Sequence, residues 1–100
     1  MKPPYYAVIF TNTLSENTEG YAQMAEAMEA LAQQQPGFLG MDHARETIGI
    51  TISYWESLEA IAHWKNNLEH QKAQALGKDQ WYQNYTLRIC KVERVYDFTK

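Results

Sequence analysis

The sequence predicts an α+β sandwich whose elements run in the order β-α-β-β-α-β. Three observations carry that prediction. Residues 5–13 and 85–98 are rich in Tyr, Val, Ile, Phe and Thr, the residue types that fit a pleated, half-buried surface. Residues 48–55 alternate with period two, as a strand requires. Two other stretches, beginning near 19 and 58, repeat apolar residues at helical spacing. The chain has 100 residues, of which 45% are hydrophobic and 21% charged. That balance suits one folded domain with a modest core and excludes a disordered chain. A single domain over 1–100 is expected, with a short N-terminal tail at 1–4.

Taken in order, 5–13 is the first strand, followed by polar turn material at 14–18. From Glu19 onward Tyr21, Met24, Ala25, Met28, Leu31 and Ala32 share one helical face, with Glu26, Glu29 and Gln33 opposite. Pro36-Gly37 ends this helix, because proline disfavours helical backbone before it and glycine frees the turn. Residues 38–45 form a second strand and 48–55 a third; the short Glu46-Thr47 connection predicts an antiparallel hairpin. Ser57 is placed to cap a second helix with Leu58, Ile61, Trp64, Lys65 and Leu68 on one face. The stretch 70–76 extends that helix or follows a break at Asn66-Asn67. Gly77-Lys78-Asp79 stops it, and 85–98 forms a long last strand. This is the ferredoxin-like, split βαβ pattern with an antiparallel sheet, and right-handed crossovers put both helices on one sheet face.

Charge and composition narrow the function. The net charge is -3 and the isoelectric point about 5.5, which argues against a nucleic-acid-binding face. No apolar run approaches membrane-spanning length and the start lacks a signal-like apolar core. Cys90 has no partner for an intrachain disulfide, consistent with a reducing, cytoplasmic setting. Both faces of the first and last strands carry apolar residues, so the sheet face without helices needs a cover. A second copy packed about a two-fold axis is the simplest one, and a homodimer is expected. Seven Tyr and three Trp suit either a cavity or an interface.

Particular segments go further. Tyr6-Ala7-Val8-Ile9-Phe10, Gln35-Pro36-Gly37-Phe38-Leu39-Gly40 and Ser53-Tyr54-Trp55-Glu56-Ser57-Leu58, continued by Trp64, His70, Ala73, Gly77 and Trp81-Tyr82, resemble the antibiotic biosynthesis monooxygenase superfamily. That superfamily consists of dimeric α+β barrels, and the likeness is to its small single-domain bacterial branch, over nearly the whole chain. The resemblance implies a monooxygenase needing no cofactor, with one cavity per subunit between helices and sheet. Molecular oxygen and a small aromatic or quinone-type molecule would be its substrates. A heme-binding, heme-degrading enzyme and a non-catalytic dimeric binding module are the alternatives on the same fold.

Triplet oxygen reacts slowly with singlet organic molecules, so such an enzyme must help an electron-rich phenol lose its proton. It needs a proton acceptor, donors for developing charge and a dry cavity. Three residues are the catalytic candidates. Asn12 is a donor near the end of the first strand, or else bonds the turn that follows. Trp64 walls the cavity or packs in the core. His70 is a proton relay if the helix breaks at Asn66-Asn67 and turns it inward; in a straight helix it shares a solvated face with His63. Phe10, Tyr54, Trp81 and Tyr82 are the candidate substrate-binding aromatics, some of them serving an interface instead. Arg88 meets an acidic substrate or decorates the barrel rim. In the heme-degrading branch a strand Asn and a helix Trp match Asn12 and Trp64, but the proximal His falls at Gln74 here. The stripe Glu59, His63, Asn66 and His70 reads as a solvated face, and no metal is expected.

Overall fold

Residues 1–70 and 80–100 are described by a computed structural model. Its six elements are β1 (Tyr5–Leu14), α1 (Tyr21–Gln33), β2 (Phe38–Arg45), β3 (Gly49–Trp55), α2 (Leu58–His70) and β4 (Tyr82–Val92). The sheet runs β2-β3-β1-β4 with every neighbour antiparallel. This is the ferredoxin-like βαββαβ order predicted from the sequence.

Turn chemistry sets the ends of the helices. Gly20, at φ 81°, precedes α1, so the helix starts at Tyr21 rather than Glu19. Gly37 at φ 85° reverses the chain into β2, a backbone region that costs an L side chain about 1–2 kcal/mol. Its carbonyl accepts from the Glu56 N–H at 2.7 Å, and a Cβ there would lie 2.6 Å from the Ala60 Cβ. The same glycine therefore lets the turn touch α2. Ser57 caps α2 as expected, its Oγ accepting from the Ala60 N–H at 3.1 Å.

The structure settles one open alternative and corrects further expectations. α2 runs through Asn66-Asn67 to His70 without a break, and Asn67 donates through Nδ2 to Gln35 Oε1 at 3.3 Å instead of capping a new segment. β4 spans Tyr82–Val92, not 85–98. It starts early because Tyr82 pairs with Leu14 past a register shift, and it stops where Val92 meets Tyr5; beyond lie Pro4 and Pro3, which have no N–H to pair. β3 begins at Gly49, one residue late, after a tight turn in which the Glu46 N–H donates to Ile48 O at 3.1 Å. Leu58 and Lys65 are exposed, leaving Ile61, Trp64 and Leu68 on the inward side of α2.

Trp55, fully buried, anchors that side. Trp64 stacks on it at 5.9 Å between ring centroids, and Phe38 meets it edge-on at 5.4 Å. The Trp55 indole N–H donates to Ser53 Oγ at 2.8 Å, so neither buried polar group lacks a partner. On the opposite sheet face lie Ile9, Ile52 and Tyr54, together with Arg88 and Cys90, by register.

Candidate functional site

Between the two helices and the sheet lies a cavity of about 530 Å³, within the usual range for a small-molecule site. Val8 and Phe10 of β1, Thr51 and Ser53 of β3, and Leu87 of β4 form its floor. Met24 and Met28 of α1 and Trp64 and Leu68 of α2 form the roof. Glu29 joins Met28 at the lining, half-buried, although the helical wheel put it opposite the apolar stripe.

One end of the cavity is an aromatic cluster. Phe10 meets Tyr82 and Tyr85 at 5.4 and 5.5 Å, and Tyr21 meets Trp81 and Tyr82 edge-on at 5.7 and 5.8 Å. Trp81 is held in place by its indole N–H, which donates to Glu19 O at 2.9 Å, and by its own carbonyl, which accepts from Ser15 N at 2.7 Å. Burial pushes the Tyr82 hydroxyl well above the ordinary tyrosine range; the Tyr21 hydroxyl beside it adds to the rise and the Arg45 charge opposes it.

Arg45 closes the same end. Its Nη2 donates to Asn12 Oδ1 and, at 3.3 Å, to the Tyr21 hydroxyl. The guanidinium carbon stands 5.6 Å from the Tyr21 ring centroid, in cation–π range. Asn12 is 3% exposed and sits behind Arg45, so the arginine and not the amide faces the cavity. His43, on the same face of β2 as Arg45, also reaches the lining.

The candidate residues therefore separate by position. Phe10, Trp64, Trp81 and Tyr82 come together around the cavity, and Asn12 lies one layer behind it. Tyr54 and Arg88 are not brought to it. The Tyr54 hydroxyl donates to Asp42 Oδ2 at 2.9 Å on the other sheet face, where burial and then that carboxylate raise its pKa. Arg88 pairs with Ile9 on that face too. His70 closes α2, and its side chain lies outside the described residues, as does the stretch that holds Ala73, Gln74 and Gly77. Among the described residues no three His, Cys, Asp or Glu side chains gather as a metal site, and no helix is long and apolar enough to cross a membrane.

The family model for antibiotic biosynthesis monooxygenase matches residues 4–76. The chain belongs to that family. It is 52% identical over 95 residues to YqjZ, an uncharacterized protein of Bacillus subtilis strain 168, covering 93% of this chain and 83% of YqjZ. Among solved structures, SnoaB of Streptomyces nogalater, described as a cofactor-independent oxygenase, superposes with a TM-score of 0.77 at 11% identity, over 93% of this chain and 97% of SnoaB. PA3566 of Pseudomonas aeruginosa gives 0.72 at 20% identity, over 96% and 99%. These structural likenesses show a shared fold over more of the chain than the residues that the family model matches.

Arg45, His43, Tyr21 and Tyr85 are cavity residues that the sequence alone did not reveal as such. Tyr21 was legible on the apolar face of α1. Arg45 had no linear signal: it ends β2 after a run of exposed residues, and only the pairing of β2 with β3 turns it toward Asn12.

Proposed function

We propose that this protein is a monooxygenase that needs no cofactor and oxidises a small aromatic or quinone-type substrate with molecular oxygen in the 530 Å³ cavity. The observation that carries the reading is that cavity, walled by Phe10, Trp64, Trp81 and Tyr82, in a chain of the antibiotic biosynthesis monooxygenase family. The fold shared with the oxygenase SnoaB supports it.

The chemistry starts with loss of the phenol proton, since the phenolate gives an electron to oxygen far more readily than the phenol does. A histidine accepts that proton, either His43, which lines the cavity, or His70. Recombination at the ring forms a carbon–oxygen bond, and cleavage of the oxygen–oxygen bond leaves a quinone and one water. Phenol and O2 together hold the atoms of those products, and the substrate supplies all four electrons. The apolar wall of Trp64, Met24 and Met28 keeps water from the reduced oxygen. Asn12 contributes through Arg45 rather than by direct contact. The working unit is one domain over 1–100 in a cytoplasmic homodimer, its partner covering the face that carries Ile9, Ile52 and Tyr54.

The test is oxygen uptake with a panel of polycyclic phenols and hydroquinones, with heavy-isotope O2 traced into the quinone by mass spectrometry. One labelled oxygen per product, lost in Trp64→Ala, is the expected result. Uptake no greater than buffer autoxidation across the panel would overturn the reading in favour of a binding module. Separate pH profiles for His43→Ala and His70→Ala assign the proton acceptor. For the heme-degrading alternative Asn12 and Trp64 match, but among the described residues the one imidazole at the lining is His43, which is exposed on β2.

A further inference from the structure

We infer that Arg45, held across Gly49 by Asn12, is the binding group of an anion subsite at the aromatic end of the cavity, and that its ligand is a small aromatic monoanion. The inference rests on the cavity being a substrate site and names the charge that the substrate carries.

The sheet register builds the subsite. Arg45 of β2 pairs with Gly49 of β3, and Gly49 pairs with Asn12 of β1. Two strand spacings separate Arg45 from Asn12, about 10 Å between backbones, and an extended arginine covers that span only by lying flat over the residue between. Gly49 allows it. A Cβ on Gly49 would overlap the guanidinium, with Nη1 only 2.7 Å away. At the far side Asn12, 3% exposed, turns Oδ1 to the arginine. Arg can only donate, so the amide orientation is fixed by its partner.

Arginine in water keeps many rotamers, and pinning it on a sheet costs side-chain entropy. Here it is pinned by Asn12 Oδ1, the Tyr21 hydroxyl and the Tyr21 ring. The two hydrogen-bond partners are neutral. Among the described residues the guanidinium charge is therefore left for a ligand, and Arg45 lines the cavity that would hold one. The acidic residues at the lining, Glu26 and Glu29, lie five and eight positions beyond Tyr21, about 7.5 and 12 Å farther along α1. The cavity has a cationic end and an acidic end. The rings of Phe10, Tyr21 and Tyr82 stand at the cationic one, which suits a planar aromatic bearing a charged oxygen.

A phenolate and a carboxylate share this chemistry, and three probes separate them: para-nitrophenol, naphthoate and the neutral para-nitroanisole. Binding is measured on the full chain without oxygen, so a failure of turnover leaves the result untouched. Equally, turnover without anion binding would sink this inference alone. Para-nitrophenol is expected to bind as its phenolate, seen as growth of the visible phenolate band at a pH below its free pKa. Naphthoate binding instead of nitrophenolate would support the subsite with a carboxylate ligand. Arg45→Met is expected to weaken the bound anion about tenfold or more and to leave para-nitroanisole unchanged. Arg45→Lys, which keeps the charge, should recover part of the loss and controls for folding. Asn12→Ala, acting on the arginine's position, should weaken anions and not the neutral probe. Para-nitroanisole binding as tightly as both anions, or Arg45→Met weakening all three probes alike, would overturn the proposal.

Discussion

Replacing Gly49 with alanine is expected to unseat Arg45 without touching it. Gly49 has ordinary extended backbone, so alanine brings no conformational strain. Its Cβ would fall on the guanidinium, whose flexible stem swings away toward solvent. What is lost is the hydrogen bond to buried Asn12. An acceptor left unpaired inside a protein costs about 1–3 kcal/mol, and the exposure of Arg45 favours the lower half, about 1.5. Losing glycine's freedom in the unfolded chain returns about 0.7 kcal/mol. Gly49→Ala should therefore cost about 0.8 kcal/mol net, and Arg45→Met about 1.5. The double variant should cost about 0.8, far short of the roughly 2.3 that independent effects would give. The assay is urea unfolding followed by tryptophan fluorescence, at one fixed protein concentration because subunit association would shift the midpoint. Additive costs within about 0.3 kcal/mol would refute the reasoning, since they would mean that Arg45 does not depend on the bare backbone of Gly49.

Other perturbations follow from the same structure. Gly37→Ala should cost about 3 kcal/mol, from a disfavoured backbone and overlap with Ala60. Gly20→Ala, with similar φ but only Trp81 Cζ2 at 3.9 Å, should cost about 1; equal losses by urea unfolding would show that space plays no part. Trp64→Ala removes the stack on Trp55 and should cost about 3 kcal/mol. Trp64→Phe should stay under about 1.5 and keep measurable oxygen uptake. Tyr82 is held protonated in the fold above its ordinary value of 10.0, so its contribution is complete below pH 10 and is lost as the pH rises beyond. The unfolding free energy should then fall by at most about 1.4 kcal/mol per pH unit, less where solvent screens the ring. Tyr82→Phe should flatten this alkaline decline, and an unchanged slope in denaturation between pH 10 and 12 would remove Tyr82 as its source.

Much of the cavity wall was legible because it repeats. Phe10, Met24, Met28, Trp64 and Leu68 declare themselves through periods of two and 3.6, and those periods follow from local backbone geometry. The cluster of Phe10, Tyr21 and Tyr82 was half legible: each residue stood out, but their meeting depends on β4 returning alongside β1. Whether α2 breaks at Asn66-Asn67 was open in the sequence for a related reason. Two asparagines weaken a helix locally, yet Trp64 stacking on Trp55 and Asn67 bonding Gln35 hold α2 against the sheet and the end of α1. Tertiary packing outweighed propensity there.

Local rules in the sequence thus set the βαββαβ order, most of the apolar stripe on each helix, the Ser57 cap and the Pro36-Gly37 turn, while Leu58, Lys65 and Glu29 took positions that the helical spacing did not predict. The features so set arise from steric and hydrogen-bonding rules acting over a few residues. The tertiary structure decided which polar groups face the cavity. Nothing near Arg45 in the chain distinguishes it from a surface arginine, and nothing near Asn12 marks it as buried. They meet because the sheet register sets Gly49 between them, and a register is fixed by the whole sheet, whose side chains all change face when one strand slips by a residue.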